Sequence, residues 1–407
     1  MIYNNKNIYP CVIGLGYVGL PIFFRLQKKF QTVGYDINLN RINQLKNKKD
    51  VTNTILNNFR LRNKSIFSNK HQDIKECNFF IITVPTPIYK NQIPNLEYIK
   101  EATKVVAKNL KRGDTIFYES TVYPGVTQKF CIPILEKISK LKSGLDFHVG
   151  YSPERINPGD KNHSIDKINK IVSFEDSSIK KKVIKVYSHI SKKIIISNKI
   201  QEAETSKVIE NIQRDLNIAL INEIYKVCKK LNINFSNVIK LAKTKWNFLS
   251  FSPGLVGGHC LPVDPYYLSY IARKNNIKTK VILAGRSVNN SMENFLFKDI
   301  KNFLSTNNTS KSDKILFLGA TYKPNVPDIR NSLSLKIFNR FKKHYNKIYL
   351  HDPLVSNLDI SKSFLLKKIN NIKIFKCIIV MVKHNKFKNL INKIKKNKKV
   401  KLLEVLT

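Results

Sequence analysis

The stretch GLGYVG, residues 14–19, decides the fold of the first part of the chain. It follows the apolar run Tyr9–Leu15, which predicts a buried strand, and it opens a helix predicted over Gly19–Phe30. Glycines at this spacing give a tight turn and let a pyrophosphate approach the backbone at the positive end of the helix. Asp36 ends the next predicted strand, Thr32–Asp36, where a carboxylate accepts from a ribose 2′-hydroxyl and repels a 2′-phosphate. The pattern predicts a Rossmann-like domain that binds NAD rather than NADP, and a glycine turn without a ligand is the alternative.

The rest of the first half of the chain alternates between strand and helix patterns. The apolar runs Phe79–Val84 and Asp114–Glu119 have the length of strands, and helical spacing over Leu96–Leu110 separates them. Strands that alternate with helices predict a parallel sheet with helices on both faces. From about Ile200 the apolar residues recur at helical spacing, which predicts one long helix, and further helical segments follow to about Phe303.

A second series of strands follows a polar linker at Ser305–Asp313. Its predicted strands are Lys314–Leu318, Lys347–His351 and Cys377–Val382. The sequence therefore predicts an α/β protein with two doubly wound Rossmann-like domains, joined by a helical middle domain with one long central helix. We place the NAD-binding domain at 1–199, the helical domain at 200–304 and the C-terminal domain at 305–407.

The composition indicates a folded, strongly basic protein. With 407 residues, 42% of them hydrophobic, the chain is long enough for substantial cores, so wholesale disorder is excluded. The 72 Lys and Arg against 28 Asp and Glu give a net charge of +44, which attracts nucleic acid, acidic membranes or phosphorylated small molecules. Lys, Asn and Ile are abundant along the whole length, which indicates a composition bias. A nucleic-acid-binding protein is the alternative of a different class, and we expect nonspecific binding at most.

The cysteines and the apolar runs bear on the compartment. Six cysteines are scattered without a CxxC pair, which argues against a disulfide framework and against a zinc site, so we expect no metal. No apolar run approaches the roughly 18 residues that a membrane helix needs. These observations predict an intracellular, cytoplasmic protein without a membrane segment.

Two segments in the second half carry residues suited to catalysis. In SPGLVGGHCLPVD, residues 252–264, Cys260 follows a glycine-rich loop and is a candidate nucleophile, while Asp264 is suited to hold a water or act as a base. In AETSKVIEN, residues 203–211, Lys207 and Asn211 lie four apart on one helix face, where they can stabilise an oxyanion. The alternatives are a buried structural cysteine and a solvated surface lysine.

A third segment, GATYKPNVPDIR at residues 319–330, is the loop after the first strand of the last domain. Ligands of open α/β sheets bind outside the carboxyl ends of the strands. Lys323 and Arg330 are therefore candidates for phosphate contacts, and an ordinary strand–helix loop is an equally good interpretation of this segment alone.

Together these segments resemble the UDP-glucose/GDP-mannose dehydrogenase family, whose members use NAD to oxidise the C6 alcohol of a nucleotide-sugar to a carboxylate. The resemblance runs through the whole chain in order. Its motifs are GLGYVGLP, VPTP at 84–87, ESTVYPG at 119–125, SPERINPGD at 152–160, AETSKVIEN, GGHCLPVD and GATYKPNVPDIR. A non-catalytic NAD-binding relative is disfavoured, because the candidate catalytic residues are all present.

The resemblance implies roles for particular residues. In catalysis, Cys260 resembles the nucleophile, Lys207 and Asn211 the oxyanion-stabilising pair, Asp264 and Thr121 the groups that order a water, and Glu154 the first glutamate of the active-site loop. The implied NAD contacts are Gly14, Gly16, Tyr17, Val18, Gly19, Asp36, Arg41, Pro85, Thr86, Thr121 and Arg330. The implied contacts to the UDP-sugar substrate are Glu154, Arg155, Lys207, Asn211, Arg214, Gly257, Arg286, Tyr322 and Lys323. The family also implies a homodimer through the long central helix, with Arg286 reaching a partner's site.

One departure from the family pattern bears on the substrate. UDP-glucose and GDP-mannose members commonly carry a second glutamate four residues after the first, where this chain has Pro158. Because proline cannot relay a proton, the proton transfer would fall to Glu154, Asp264 and water. ERINPGD is similar to the branch that acts on UDP-N-acetylhexosamines, including UDP-N-acetylglucosamine, for surface-polysaccharide synthesis. UDP-glucose and UDP-N-acetylmannosamine stay open as alternative substrates.

Overall fold

The structure, a computed structural model, describes residues 8–52, 54–55, 57–155, 165–355 and 364–406. It divides into two compact units: Met1–Glu210 with Tyr266–Ile277, and Asn211–Pro265 with Lys278–Thr407. Each unit has its own sheet of parallel or mostly parallel strands, and long helices occupy the middle of the chain. The α/β fold class predicted from the sequence is therefore confirmed. The three-domain division at 199 and 304 stays a prediction.

The first unit is built on an eight-stranded sheet. Its strands are β1 Pro10–Ile13, β2 Val33–Tyr35, β3 Ile66–Ser68, β4 Phe79–Ile82, β5 Thr115–Tyr118, β6 His148–Tyr151, β7 Lys170–Phe174 and β8 Ile194–Ser197. They lie in the order β3-β2-β1-β4-β5-β6-β7-β8, and all neighbours are parallel except β6 and β7. Because β1 and β4 are neighbours, the chain reverses its direction of travel across the sheet there, which is where ligands of such sheets bind.

Helices cover both faces of this sheet. The helices of the first unit are α1 Gly19–Leu26, α2 Leu39–Lys46, α3 Glu97–Ala107, α4 Ile132–Ser139 and α5 Lys180–Tyr187. Alternate strand residues enter different cores: Cys11 and Ile13 pack into one, and Val12 packs into the other. A parallel sheet buried on both faces needs this near-continuous apolar sequence in its strands.

The middle of the chain is helical, as predicted. Its helices are α6 Ile200–Lys230, α7 Phe235–Ala242, α8 Asp264–Lys274 and α9 Lys280–Thr306. The predicted linker Ser305–Asp313 begins too early, because α9 continues to Thr306 and the Asn307 N–H still bonds to the Phe303 carbonyl. Side chains that face one way along α9 are buried, which explains why the helix persists into this polar stretch.

The second unit carries a four-stranded parallel sheet. Its strands are β9 Ile315–Leu318, β10 Ile348–His351, β11 Cys377–Val380 and β12 Lys401–Glu404, and its last helices are α10 Leu333–Phe341 and α11 Lys388–Lys395. The strand order is β10-β9-β11-β12. Ile315 and Phe317 pack into one core while Leu316 and Leu318 pack into another, so this sheet is also covered on both faces.

In each sheet, an aspartate after the neighbouring strand fixes the loop that follows the first strand, β1 or β9. In the first unit, Asp36 follows β2 and its Oδ2 accepts the Leu15 N–H at 2.8 Å. In the second, Asp352 follows β10 and its Oδ2 accepts the Ala320 N–H at 2.7 Å. Asp352 is buried and also bonds to the His384 ring, whereas Asp36 is only half-buried. Of the two aspartates, Asp36 is the one with an accessible carboxylate.

Two kinds of feature are absent from the described residues. No helix there is both long and apolar enough to cross a membrane. That part of the chain also contains no group of three or more His, Cys, Asp or Glu side chains placed to hold a metal ion.

Candidate active site

The glycine loop after β1 has the geometry of a nucleotide-binding turn. Gly14 has φ +90°, a conformation that side chains rarely adopt, and its N–H bonds to the Tyr35 carbonyl of β2 at 2.8 Å. The Thr83 hydroxyl donates to the Gly14 carbonyl at 2.7 Å. A Cβ on Gly19 would lie 1.9 Å from the Gly14 oxygen, so Gly19 is required for α1 to approach the turn. These contacts hold the first turn of α1 against the sheet.

Gly16 differs from its two neighbours in the motif. A Cβ on Gly16 would meet nothing within 4 Å, so this residue is not needed for packing within the chain. An open space in front of a glycine, beside the N-terminus of a helix, is the cradle that a pyrophosphate fills. The half-buried Tyr17 and Val18 complete this loop. The residues present therefore fit NAD.

The contrast between Gly16 and Gly19 gives a matched pair of variants. We expect Gly16→Ala to unfold at the wild-type temperature without ligand but to weaken NAD binding about tenfold, about 1.4 kcal/mol, because the methyl group fills the cradle. We expect Gly19→Ala to destabilise the fold by about 1–3 kcal/mol through overpacking. Thermal unfolding without ligand and NAD titration by calorimetry measure the two effects. Wild-type NAD affinity in Gly16→Ala would contradict the assignment.

Asp36 and Arg41 both bond to Leu15 of this loop. Arg41 is buried, and its Nε donates to the Leu15 carbonyl at 2.8 Å while its Nη2 pairs with Asp50 at 2.9 Å. Among the described residues, its Nη1 is buried without a hydrogen-bond partner. Arg41 thus braces the glycine loop and has one donor left for a ligand. Its direct contact with NAD stays a prediction.

The VPTP and ESTVYPG loops lie side by side after β4 and β5. The Thr86 hydroxyl donates to the Thr121 carbonyl at 2.7 Å, and the Tyr267 hydroxyl donates to the Thr86 carbonyl at 2.6 Å. Both threonines are half-buried, and Pro85 between these strand ends is exposed. The two loops therefore bring Thr86 and Thr121 together at the carboxyl edge of the sheet.

Glu154 and Arg155 follow β6. Glu154 is 7% exposed, and its Oε2 lies 3.5 Å from the Nζ of Lys170. Arg155 pairs with Glu210 of α6 at 2.8 Å. Pro158, on which the substrate prediction depends, lies outside the described residues.

Lys207 is not the solvated surface lysine that the basic composition would suggest. It is 8% exposed on α6, and among the described residues it has neither an ion-pair nor a hydrogen-bond partner. Burying a cation without an anion is costly. A lysine of this kind is suited to an anionic group that the described part of the chain does not supply.

The second unit assembles three of the predicted catalytic residues. The Asn211 Nδ2 donates to the Asp264 Oδ2 at 2.5 Å, and both side chains are buried. The Asp264 N–H at the start of α8 bonds to the Cys260 carbonyl at 2.8 Å. Cys260 is half-exposed, whereas the other cysteines are all buried. Cys260 is thus the cysteine with partial exposure, and its backbone is bonded to the residue that holds Asn211.

The glycine-rich loop before Cys260 packs closely on the loop after β9. A Cβ on Gly257 would lie 2.7 Å from the Asn331 carbonyl oxygen and 3.0 Å from the Tyr322 Cβ. The Asn331 side chain also donates to the Gly258 carbonyl at 2.9 Å. Gly257 and Tyr322, both predicted substrate contacts, are therefore brought together.

Lys323 and Arg330 lie on the same loop with different surroundings. Lys323 is half-buried, and Arg330 is exposed. Arg330 forms a two-nitrogen contact with the Asp328 carboxylate, at 3.0 Å and 2.6 Å to Oδ2. Burial acts to raise the pKa of Asp328, but the Arg330 guanidinium outweighs it and the pKa is lowered. The contact of Arg330 with a phosphate stays a prediction.

The remaining predicted arginines lie on different helices. Arg214 is exposed on α6. Arg286 of α9 is 2% exposed, and its guanidinium donates to Asp215 at 2.6 Å and to Asn290 at 2.5 Å. Within the chain Arg286 thus neutralises a buried aspartate, and its reach to a partner's site stays a prediction.

Three supporting side chains were missed by the sequence analysis. Glu204, inside the AETSK motif, accepts the Gly125 and Thr127 N–H groups at 2.5 Å and 2.9 Å and so fixes the loop after β5. Glu119 and Lys170 form a fully buried ion pair, with 2.5 Å between the Lys170 Nζ and the Glu119 Oε2. Their partners are 51 to 79 residues away in the chain, so no local pattern identifies them.

Comparisons with known proteins agree with this geometry. Three domains of the UDP-glucose/GDP-mannose dehydrogenase family match: the NAD binding domain at residues 8–191, the central domain at 201–291 and the UDP binding domain at 316–403. UDP-N-acetyl-D-glucosamine 6-dehydrogenase of Salmonella typhi is 42% identical, with 96% of this chain and 93% of the relative covered. The enzyme of that name from Pseudomonas aeruginosa is 40% identical, with 95% and 92% covered.

A solved structure of UDP-D-ManNAc dehydrogenase from Pyrococcus horikoshii superposes with a TM-score of 0.84 at 29% identity, covering 98% of this chain and 95% of that one. The predicted NAD cofactor and the predicted family are confirmed by the domain matches. The chain belongs to the UDP-glucose/GDP-mannose dehydrogenase family of NAD-dependent oxidoreductases.

Proposed function

We propose that this chain oxidises the C6 alcohol of a UDP-N-acetylhexosamine to the uronic acid in a four-electron reaction, and we assign UDP-N-acetylglucosamine as the substrate. The observation that carries the reaction is the partly exposed Cys260, whose backbone carbonyl accepts the N–H of Asp264, the hydrogen-bond partner of Asn211. The chemistry that NAD supplies when bound is the acceptance of a hydride from a carbon atom. A thiol beside such chemistry is suited to hold an aldehyde between two oxidations.

For the first oxidation we assign the oxyanion to Lys207 and Asn211. As C6–OH loses its proton, negative charge grows on the oxygen, and Lys207, which is 8% exposed and has no ion-pair partner among the described residues, is suited to stabilise it. Asn211 spends one amide hydrogen on Asp264, which fixes its orientation and leaves the second for the substrate. Glu154 takes the proton directly or through a water ordered near Thr121.

For the second oxidation we assign covalent catalysis to Cys260. Its sulfur attacks the C6 aldehyde to give a thiohemiacetal, and oxidation of that adduct leaves a thioester. Water held at Asp264 or Glu154 then hydrolyses the thioester, which releases the uronic acid and the free thiol. The covalent adduct keeps the reactive aldehyde on the protein between the two steps.

The choice of sugar rests on the relatives. The two relatives named for UDP-N-acetyl-D-glucosamine share 42% and 40% of their residues with this chain, against 29% for the solved UDP-D-ManNAc dehydrogenase. The ERINPGD sequence around Pro158 favours the same branch. UDP-N-acetylmannosamine and UDP-glucose are the competing substrates.

A substrate panel tests the proposal. Purified protein is incubated with NAD and, separately, with UDP-N-acetylglucosamine, UDP-N-acetylgalactosamine, UDP-N-acetylmannosamine and UDP-glucose, and the NADH formed per sugar consumed is measured. The expected result is two NADH formed per UDP-N-acetylglucosamine consumed. Two NADH with UDP-glucose alone would overturn the sugar, and no turnover with any of the four would overturn the reaction.

We propose further that two copies pair through the central helix. Leu220 and Val227, seven residues apart on one face of α6, are 57% and 52% exposed. Leu220 lines a groove together with Phe248 and Leu249, and the neighbouring Trp246 is 92% exposed. Apolar surface of this extent on a long helix is typical of a protein interface. The family resemblance names a second copy of the chain as its occupant.

A charge placed in this groove tests the pairing. We expect the wild type to sediment as a dimer and Leu220→Glu to sediment as a monomer at low micromolar concentration, because the carboxylate would be buried unpaired in the interface. Leu145→Glu, at an exposed leucine of the first unit, is the matched control and should stay dimeric. A monomeric wild type, or a dimeric Leu220→Glu, would refute the pairing.

A further inference from the structure

Three charged side chains form a cluster inside the first unit, at the carboxyl side of β5 and β6. Glu119 follows β5 and is 1% exposed, Lys170 opens β7 and is fully buried, and Glu154 follows β6. The three strands are neighbours in the sheet, which brings residues from three separate parts of the chain to one place. Of these, only Glu154 has a role in the mechanism above.

The Lys170 ammonium is fully used by this cluster. Its Nζ lies 2.5 Å from the Glu119 Oε2, 3.3 Å from the Pro153 carbonyl oxygen and 3.5 Å from the Glu154 Oε2. An ammonium has three protons, so these three oxygens satisfy it. The Tyr187 hydroxyl of α5 donates to the other oxygen of Glu119 at 3.0 Å and holds that carboxylate in place. Lys170 therefore contacts both the carboxylate of Glu154 and the carbonyl of the preceding Pro153.

The charges of the cluster are coupled. Burial raises the pKa of Glu119 to about 7, although Lys170 acts to lower it, and the neighbouring Glu154 raises it further. Burial acts to lower the pKa of Lys170, but the two carboxylates outweigh it and the pKa is raised. One cation thus faces two carboxylates and one tyrosine, and the cluster takes up a proton near neutral pH.

An arrangement of this kind is not needed for stability. Buried ion pairs replaced by apolar groups of similar volume are often neutral or stabilising. The direct contact between Lys170 and Glu154 indicates that the buried charges of Glu119 and Lys170 act on Glu154. A proton acceptor in catalysis needs a fixed direction, and the contact with Lys170 provides it for Glu154.

We propose that Glu119 and Lys170 are positioning residues, which hold the Glu154 carboxylate in the orientation in which it accepts the substrate's proton. The proposal rests on the proposed function of Glu154. Glu119 sets how much of the Lys170 charge is available to Glu154, and Tyr187 fixes Glu119. The pair therefore tunes the pH range in which the enzyme works.

Two variants with opposite expected effects test the proposal. In the wild type we expect kcat to rise with pH through an inflection at about 7, where the cluster loses its proton. Lys170→Met leaves two carboxylates without their cation, so the proton is held more tightly and the inflection moves up by about one pH unit or more, with kcat lowered about 10²-fold. Glu119→Gln leaves one carboxylate beside the cation, so the inflection moves down and out of the neutral range. KM should change little in both.

Lys182→Met is the matched control. Lys182 of α5 is a largely buried lysine of the same unit, but its ammonium donates to the Asn78 and Gly113 carbonyls at 3.1 Å and 3.0 Å. Burial lowers its pKa to about 8. We expect this variant to lose stability and to keep the wild-type pH profile.

The outcomes separate this proposal from the proposed function. If Lys170→Met and Glu119→Gln lose stability but keep the wild-type pH profile, as Lys182→Met does, the pair is structural and the positioning role is overturned. Should Lys170→Met fail to fold, Glu119→Gln decides alone, because glutamine keeps an acceptor for the lysine. Glu154→Gln tests the proposed function itself: a fully active Glu154→Gln overturns the role of Glu154 and the positioning with it.

Discussion

Replacement of Cys260 by serine is expected to stop the reaction after one oxidation or to abolish turnover. A serine hydroxyl is a far weaker nucleophile than a thiol, so the aldehyde is no longer held as a covalent adduct. Loss of a nucleophile that acts together with neighbouring groups costs at least about 10³-fold in rate. The measurement is NADH formed per sugar consumed, together with the intact mass of acid-quenched enzyme, in which the thioester adduct should appear for the wild type alone.

Cys377→Ser is the matched control for this variant. Cys377 lies in the same unit but is buried in β11, where burial raises the pKa of its thiol. It is therefore protonated and inaccessible, and its substitution should leave two NADH per sugar. Two NADH per sugar at the wild-type rate from Cys260→Ser would refute the covalent mechanism while leaving the family membership untouched.

The elements that the sequence predicted well are those with a strong local signal. The strands β1, β2, β4 and β5 lie within predicted strands, since each is an apolar run bounded by turn residues. The strands β3, β6, β7, β8 and β12 were not predicted. The strand β7 begins with the charged Lys170, whose burial depends on Glu119. Because that pairing is long-range, the local sequence does not show that a lysine begins a buried strand, although Ile171, Val172 and Phe174 have high β propensity.

The residues of the candidate site likewise divide into those that a motif locates and those whose surroundings only the fold determines. Motif spacing located Cys260, Asp264 and Asn211, and the structure brings the last two into hydrogen-bonding contact. The burial of Lys207 was not predictable in so lysine-rich a chain, because burial depends on tertiary packing. Glu204 was likewise part of a recognised motif, but its anchoring of Gly125 becomes visible only in the fold.

The variant Arg286→Met is expected to lose much of its stability against unfolding. Asp215 is buried against Arg286, and the Asn289 side chain donates to the same carboxylate oxygen at 2.7 Å. Burial already raises the pKa of Asp215 although Arg286 acts to lower it. Removal of the cation leaves an uncompensated buried carboxylate, so we expect a loss of about 3–5 kcal/mol in the free energy of unfolding. Urea denaturation of the wild type and the variant at neutral pH measures it.

The sign of the pH dependence follows from the raised pKa of Asp215. A carboxyl group whose pKa is raised on folding favours the folded state when it is protonated, and this contribution is lost as the pH rises through the folded-state value. The deficit of Arg286→Met should therefore be largest at neutral pH and should shrink on acidification. A deficit that is constant with pH would show that the loss comes from packing rather than from the charge.

The double variant Arg286→Met/Asp215→Leu separates a structural arginine from one that acts on substrate. With both charges removed no buried ion is left unpaired, so most of the lost stability should return, and Asn289 still donates to the Asp215 backbone carbonyl at 3.0 Å. If Arg286 serves only to neutralise Asp215, the double variant regains turnover together with stability. If Arg286 also reaches a partner's substrate, as the family resemblance implies, the double variant folds and pairs but keeps a raised KM for the UDP-sugar. A double variant no more stable than Arg286→Met would contradict the ion-pair explanation itself.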